Sequence, residues 1–222
     1  MNKIEAVLFD LDGTLLDSAP DFHLVINEML QTRNRDLISL AALKHQVSNG
    51  ARAMVKYAFA EAATTIELES LKAEFLALYF ERINQKSYLY AGIEQVISFL
   101  ETNHISWGIV TNKPEYYTTP IITHFPCFAG AKVVICPDHV KHTKPDPEPL
   151  FLACEKMSIS ADKCCYIGDH ERDIIAGKAA NMYTIGCNYG YLNENEDSSA
   201  WQADALVDQP LHIIEQLKTQ LA

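Results

Sequence analysis

Short apolar runs alternate with helix-period patterns over most of the chain. The runs have the length and the β-branched content of buried strands and cover residues 4–9, 105–112, 132–136, 163–169 and 182–187. Apolar residues at helical spacing fall between the later runs, at 92–103, 114–124, 147–157 and 171–180. Strands that alternate with helices in this way predict a parallel, doubly wound α/β sheet.

A different residue pattern, without predicted strands, interrupts this alternation after the first strand. Residues 21–91 contain no proline and one glycine, Gly50, and their pattern predicts four amphipathic helices, at 22–30, 41–47, 51–62 and 68–83. We therefore expect an α/β core at 1–16 and 88–222, with an all-helical cap at 17–87. Ligands of open parallel sheets bind at the carboxyl ends of the strands, so an insert leaving the first strand should act as a lid.

Polar side chains follow four of the predicted strands. In chain order they are Asp10 and Asp12; Thr111, Asn112 and Lys113; Lys144; and Asp169 with Asp173. Because parallel strands end at one edge of a sheet, these groups should converge. Several carboxylates in one place repel one another unless a cation joins them, and oxygen ligands without a nearby His–Cys set favour Mg2+.

A Mg2+ site beside two lysines and a threonine hydroxyl suits a phosphate group. In that setting Asp10 is placed to attack phosphorus and form an aspartyl-phosphate. Asp12, two residues on, is placed to protonate the leaving oxygen and then to activate the water that hydrolyses the intermediate. Gly13 allows the sharp turn after the strand.

Each cluster alone also has an ordinary structural explanation. The Asp-x-Asp-Gly stretch is common in turns, the Thr111–Asn112 pair can cap a helix, and Asp173 can be a first-turn acid that the helix dipole favours. Lys144 alone would be a solvated loop lysine, and Lys113, His139 and His142 are expected to be surface loop residues. Joint occurrence at four strand ends favours the catalytic interpretation over these separate ones.

Composition narrows the classes of partner. The chain has 222 residues, a formal net charge of −11 and 48% hydrophobic residues, so nucleic acid and anionic lipid surfaces are not expected partners. We find no stretch long enough for a membrane span and no signal-peptide pattern at the N-terminus. The six cysteines form no Cys-x-x-Cys pair and are expected to be reduced thiols, which favours a cytoplasmic location.

Four segments in order, "DLDGT", "VTN", "KPDP" and "GDxxxD", resemble the four motifs of the haloacid dehalogenase-like hydrolases. The resemblance implies a Rossmann-like core with a helical cap inserted after the first strand, which agrees with the pattern above. It also implies that Asp10 is the nucleophile and a Mg2+ ligand, and that Asp12 is the general acid/base and a ligand through its backbone carbonyl.

The same resemblance assigns the remaining motif residues. Thr111, with Asn112 beside it, would bind phosphate, and Lys144 would steady the nucleophile and the phosphoryl oxygens. Asp169 would be a direct Mg2+ ligand, while Asp173 would act through water or by orienting its neighbours. An acid at position 12 fits phosphoryl transfer rather than dehalogenation.

Further segments bear on the substrate. "DSAPD" and "SNGARAMV" are similar to the phosphoglycolate phosphatase branch of the family, and a longer set, including 135–150, is similar to enzymes that hydrolyse N-acetylmuramic acid 6-phosphate. The resemblance thus implies a small phosphorylated metabolite as substrate, N-acetylmuramic acid 6-phosphate first and 2-phosphoglycolate second. Both carry a carboxylate, which Arg52 of the cap could bind, although a solvated helix arginine is an equal alternative.

Two other classes of function stay open. A sugar phosphomutase would share every core residue and differ only in the cap, and a non-catalytic phosphate-binding protein could use the same fold. A monomer and a homodimer are both compatible with the sequence.

Overall fold

The computed structural model describes residues 3–59, 64–193 and 196–221. In chain order its strands and α-helices are β1 (Ala6–Phe9), β2 (Leu16–Asp17), α1 (Ala19–Gln31), α2 (Leu40–Val47), α3 (Ala51–Ala58), α4 (Thr65–Arg82), β3 (Tyr88–Leu89), α5 (Ile93–Thr102), β4 (Ser106–Val110), α6 (Glu115–His124), β5 (Val134–Ile135), α7 (Glu148–Met157), β6 (Cys164–Gly168), α8 (Glu171–Ala179), β7 (Tyr183–Cys187), β8 (Ala205–Val207) and α9 (Leu211–Leu221). None of the helices in these ranges combines the length and the apolar character needed to cross a membrane.

Six strands form one parallel sheet in the order β5-β4-β1-β6-β7-β8. Counted within this sheet, the order is 3-2-1-4-5-6, the Rossmann arrangement, in which successive strands are added on one side of β1 and then, from β6 onward, on its other side. Parallel α/β sheets bind their ligands at that switch point, so the loops after β1 and β6 are the expected ligand site.

Alternating residues of the central strands face two different apolar layers. On β1, Val7 and Phe9 join a cluster with α5 and α9, whereas Ala6 and Leu8 join a cluster with α7 and α8. The sheet is therefore covered on both faces, which is why its strands are continuous apolar runs. Cys164 and Cys165 follow the same alternation and pack on opposite faces as buried free thiols.

The four helices α1–α4 supply most of a separate apolar cluster, which Tyr191 joins and whose other members include Phe22, Leu43, Met54, Phe75 and Tyr79. The first turn of α4 is fixed by a capping box, in which Thr64 and Glu67 satisfy each other's backbone N–H groups. The chain leaves and re-enters the α/β core through a two-stranded antiparallel ribbon, β2 with β3. We propose domain boundaries at residues 17 and 87, and the position of this ribbon supports them.

The predicted fold class is confirmed, with differences at particular elements. The strand predicted at 132–136 shortens to β5, while β8 and the ribbon were not predicted. The helix predicted at 51–62 ends at Ala58, and residues 60–62 of that prediction lie outside the described ranges.

Candidate active site

The turn after β1 is packed directly against Asp169. Gly13 has φ +90°, and a Cβ there would lie 2.1 Å from Asp169 Oδ2, so both the backbone conformation and the space require glycine. Thr14 Oγ1 donates to Asp169 Oδ1 over 3.1 Å. Asp10 extends the strand, since its N–H donates to Ile167 O over 2.8 Å. The first and the last predicted motif therefore meet at the switch point of the sheet.

Three carboxylates converge there. Asp10, Asp169 and Asp173 each offer an oxygen within 4.8 Å of the others. Asp169 also accepts a hydrogen bond of 2.7 Å from the N–H of Tyr191. Burial, followed by the charges of Asp10 and Asp173, raises the pKa of Asp169 well above its ordinary value. The fold thus brings carboxylates together at a buried site, where the ionised form of Asp169 is disfavoured.

Lys144 neutralises part of this charge. Its Nζ lies 2.9 Å from Asp10 Oδ1 and 2.8 Å from Asp173 Oδ1, and it also contacts Val110 O at 3.1 Å and Tyr166 Oη at 2.8 Å. Burial alone would lower the pKa of Lys144, but the two carboxylates raise it above its ordinary value. Lys144 is therefore a buried ammonium ion rather than a solvated loop residue.

Asp12 has its own buried cation. Lys113 Nζ lies 3.1 Å from both Oδ atoms of Asp12, and Ser18 Oγ donates to Oδ1. The ammonium also sits 4.9 Å from the ring centroids of Phe22 and of Tyr79. The expectation that Lys113 is a surface loop residue is wrong, because the aromatic rings of α1 and α4 cover it and leave it 9% exposed.

The loop after β4 divides its two polar residues between different tasks. Thr111 is 4% exposed and lines the site cavity, and its Oγ1 accepts from the N–H of Lys113 over 3.1 Å. Asn112 makes two hydrogen bonds with the backbone of Lys144. Its Nδ2 donates to the Lys144 carbonyl over 2.9 Å, and its Oδ1 accepts from the Lys144 N–H over 3.2 Å. Thr111 stays available to a ligand, whereas the carboxamide of Asn112 holds the Lys144 loop in place.

A cavity of about 340 Å³ opens above these groups, between the core and the four helices. Its floor contains the carboxylates, Lys144 and Thr111. Much of its wall is apolar and comes from the helical segment: Phe22, Val47, Met54, Phe75, Leu76 and Tyr79. Its volume lies in the range of pockets that hold ligands much larger than a phosphate group.

The cap arginine that the sequence singled out is not brought to this cavity. Arg52 is about half exposed and pairs with Glu69 at 3.0 Å, and it does not line the cavity, so its predicted role in substrate binding is not supported. Arg172 of α8 lines the cavity instead. Its Nη2 donates to Ser48 O on the turn between α2 and α3. Burial and the neighbouring Arg172 charge lower the pKa of His170 to about 4.

Sequence reasoning missed Arg172, and it placed Lys113 among the converging groups but expected its side chain at the surface. Lys113 directly follows the "VTN" motif, and Arg172 directly precedes Asp173 in "GDxxxD". The sequence signal that could have marked both residues as part of the site is that each lies next to a motif residue. The helices that bury Lys113, and the turn that receives Arg172, come from distant segments that local pattern does not connect to them.

The donor set fits a hard divalent cation. Asp10, Asp169 and Asp173 supply oxygen ligands only, in a cluster whose mutual repulsion a cation would relieve. Asp10 Oδ1 is buried, and its ion pair with Lys144 Nζ at 2.9 Å is the polar contact that the described residues give it. A carboxylate oxygen with unused lone pairs beside two other carboxylates is what a Mg2+ ligand requires.

Comparison with known proteins agrees with this geometry. Residues 7–187 match the family model of the haloacid dehalogenase-like hydrolases. Over 97% of this chain, a crystal structure described as a predicted phosphoglycolate phosphatase from Haemophilus somnus 129pt superposes with a TM-score of 0.86 at 28% identity, with 99% of that chain covered. The chain belongs to the haloacid dehalogenase-like hydrolase family, and it is an enzyme of the phosphatase class.

Two relatives indicate where in the family the chain lies. It is 39% identical to the N-acetylmuramic acid 6-phosphate phosphatase of Pseudomonas aeruginosa, over 99% of this chain and 97% of that one. It is 43% identical to a phosphoglycolate phosphatase of Xanthomonas campestris pv. campestris, over 92% of each chain. The two similarities are close enough that identity alone does not separate the two substrates.

Proposed function

We propose that this chain is a Mg2+-dependent phosphomonoester hydrolase that acts through an aspartyl-phosphate on Asp10. The observation that carries the proposal is the meeting of Asp10, Asp169 and Asp173 within 4.8 Å, with Lys144 Nζ 2.9 Å from Asp10. Asp10, Asp169 and the backbone carbonyl of Asp12 would hold the metal ion. When bound, Mg2+ would supply the positive charge that lets an anionic nucleophile approach an anionic phosphate.

The chain's own residues divide the reaction into two steps. In the first, an Asp10 carboxylate oxygen attacks phosphorus, while Asp12 gives its proton to the leaving oxygen. In the second, Asp12 takes a proton from water as the water attacks the aspartyl-phosphate, which returns Asp10 and releases phosphate. Lys144 holds Asp10 and the phosphoryl oxygens, and Thr111 Oγ1 donates to the phosphate. Lys113 and Ser18 orient Asp12.

The substrate we propose is N-acetylmuramic acid 6-phosphate. Its sugar ring needs space beyond the phosphate, and the cavity offers about 340 Å³ with an apolar wall from α1 to α4. The 39% identity to the Pseudomonas aeruginosa enzyme, over nearly the whole of both chains, also supports it. The role would then be recycling of cell-wall sugar in the cytoplasm, by a monomer or a homodimer that binds neither nucleic acid nor membrane.

A second candidate is 2-phosphoglycolate, which the 43% identical Xanthomonas campestris relative favours. The deciding experiment measures kcat/KM for both phosphomonoesters in parallel with Mg2+. We expect the larger value for N-acetylmuramic acid 6-phosphate, because a two-carbon acid leaves the apolar wall unfilled. A larger value for 2-phosphoglycolate would reverse the assignment.

The same assay separates hydrolysis from the other classes. A sugar phosphomutase would return the phosphoryl group to sugar and release little free phosphate. A phosphate-binding protein without catalysis would release none from any of a broad panel of phosphomonoesters. We expect stoichiometric release of inorganic phosphate.

A further inference from the structure

The cavity cations differ in whether the protein itself neutralises them. Lys72 pairs with Glu69 at 3.2 Å, Lys113 with Asp12 at 3.1 Å, and Lys144 with Asp10 at 2.9 Å. Arg172 also lines the cavity, yet it forms no ion pair with any carboxylate in the part of the chain that the structure describes. Its charge acts on Asp173 at longer range, but no carboxylate of the described residues contacts the guanidinium as an ion-pair partner.

The Arg172 guanidinium is nevertheless held in place. Nε donates to His170 Nδ1 over 3.2 Å, and Nη2 donates to the carbonyl of Ser48 and lies 3.1 Å from His170 Nε2. Both partners are neutral acceptors. A guanidinium has five N–H donors, and the two on Nη1 have no protein acceptor among the described residues. The side chain is thus oriented by its neighbours while part of its donor fork stays unused.

The position of Arg172 fits a contact to the substrate away from its phosphate. Thr111 and Lys144 lie on the cavity floor with the carboxylates. Arg172 instead bonds to Ser48, on the turn between α2 and α3, and Val47 and Met54 flank that turn in the apolar wall. The guanidinium therefore lies where the floor meets the wall, beside the space for the leaving group.

We propose that Arg172 is the specificity-determining residue that binds the carboxylate of the leaving group. The inference rests on the proposed function, in which the substrate is both a phosphomonoester and an acid. A carboxylate matches the free donors of an oriented guanidinium, and it would compensate the one cavity cation that lacks an ion pair in the described residues. The cap arginine Arg52, already paired with Glu69, would take no part.

Two matched substrate pairs test this directly. N-acetylmuramic acid 6-phosphate is compared with N-acetylglucosamine 6-phosphate, which lacks the carboxylate-bearing ether. 2-Phosphoglycolate is compared with ethyl phosphate, which also lacks the carboxylate. For each pair, kcat/KM of the acid divided by that of its acid-free partner measures carboxylate recognition. Any general damage that a substitution does to catalysis affects both members and cancels in the ratio.

We expect Arg172→Gln to lower that ratio about 10- to 100-fold, the usual worth of a hydrogen-bonded ion pair to substrate, with most of the change in KM. Arg172→Lys keeps the charge but loses the fork, so it should retain part of the ratio. Arg52→Gln, the matched control on the cap surface, should leave the ratio as in the wild type.

The outcomes separate this inference from the substrate assignment. Wild-type preference for 2-phosphoglycolate would overturn the assignment, while the ratio of the second pair would still report on Arg172. Equal losses for acid and acid-free substrates in Arg172→Gln would overturn the Arg172 inference. So would a fall of the ratio in Arg52→Gln instead.

Discussion

At the scale of single residues, the site concentrates charge that the fold only partly balances. Asp10 is the common member, because it pairs with Lys144 and also contributes to the raised pKa of Asp169 and of Asp173, behind burial in both cases. A carboxylate in that position costs stability. Such a loss of stability is expected at a functional site, where the Asp10 carboxylate would serve as nucleophile and metal ligand.

Asp10→Asn tests whether Asp10 is the nucleophile and a metal ligand. We expect kcat to fall by more than about 10³-fold, since an amide neither attacks phosphorus nor replaces the carboxylate as ligand. The fold should survive, because the substitution keeps shape and removes one repelling charge. Phosphate release and circular dichroism on the same sample measure both. Asp36→Asn, on the exposed surface, is the control, and an Asp10→Asn enzyme with wild-type turnover would refute the mechanism.

The sequence predicted which motif residues come together at the site, but it did not predict how distant segments cover them. Asp10, Asp12, Lys144 and Asp169 were predicted to converge from the parallel-sheet pattern, and the structure brings them to one cavity. Lys113 was predicted exposed, because nothing in its local sequence reveals that two aromatic rings from the helical segment cover it.

At the scale of elements, one buried acid fixes the return of the helical segment to the core. Asp21, in the first turn of α1, accepts hydrogen bonds from Asn84 N at 2.8 Å, from Lys86 N at 2.6 Å and from Ser87 Oγ. Asp21 is fully buried. Its carboxylate thus ties the start of the cap to the segment after α4, next to the ribbon of β2 and β3.

Asp21→Ala should therefore be among the more destabilising changes in this chain. Two backbone N–H groups and one hydroxyl would lose their buried acceptor, and we expect the free energy of unfolding to fall by about 3 kcal/mol. Urea denaturation measures the change. Asp36→Ala, exposed on the same helical segment, should change it by less than about 0.5 kcal/mol; similar effects of the two substitutions would contradict the bonding role of Asp21.

Long periodic elements were predicted well and short ones were not. The helices at 92–103 and 147–157 appear as α5 and α7, with each end shifted by at most one residue. The strands β2, β3 and β8 have two or three residues, too few for an alternation to be visible. They form because a neighbouring strand offers hydrogen bonds, which is tertiary information.

At the scale of the whole molecule, a protein of net charge −11 gathers a carboxylate cluster in the cavity between its α/β core and its four cap helices. Burial and the charges of Asp10 and Asp173 raise the pKa of Asp169 well above normal. Between the ordinary aspartate pKa and this raised value, the folded protein therefore binds a proton that the unfolded chain has released. Stability without metal is lost as pH rises through that interval.

Thermal unfolding at several pH values tests this. In a chelator, the melting temperature should fall as pH rises above the ordinary aspartate range. Mg2+ at about 100 times its Kd should restore about 2.7 kcal/mol at neutral pH. Asp169→Asn should flatten the pH dependence and remove most of the Mg2+ effect. The same slope in wild type and variant would assign the titration to other groups.

The central claim is a covalent phosphoryl group on Asp10, and trapping that group tests it most directly. p-Nitrophenyl phosphate has a leaving group that needs little protonation, so Asp12→Asn should still complete the first step but stall before hydrolysis. After an acid quench in the presence of Mg2+, we expect mass spectrometry to find one phosphoryl group on the peptide that contains Asp10. A phosphoryl group on another residue would contradict the account.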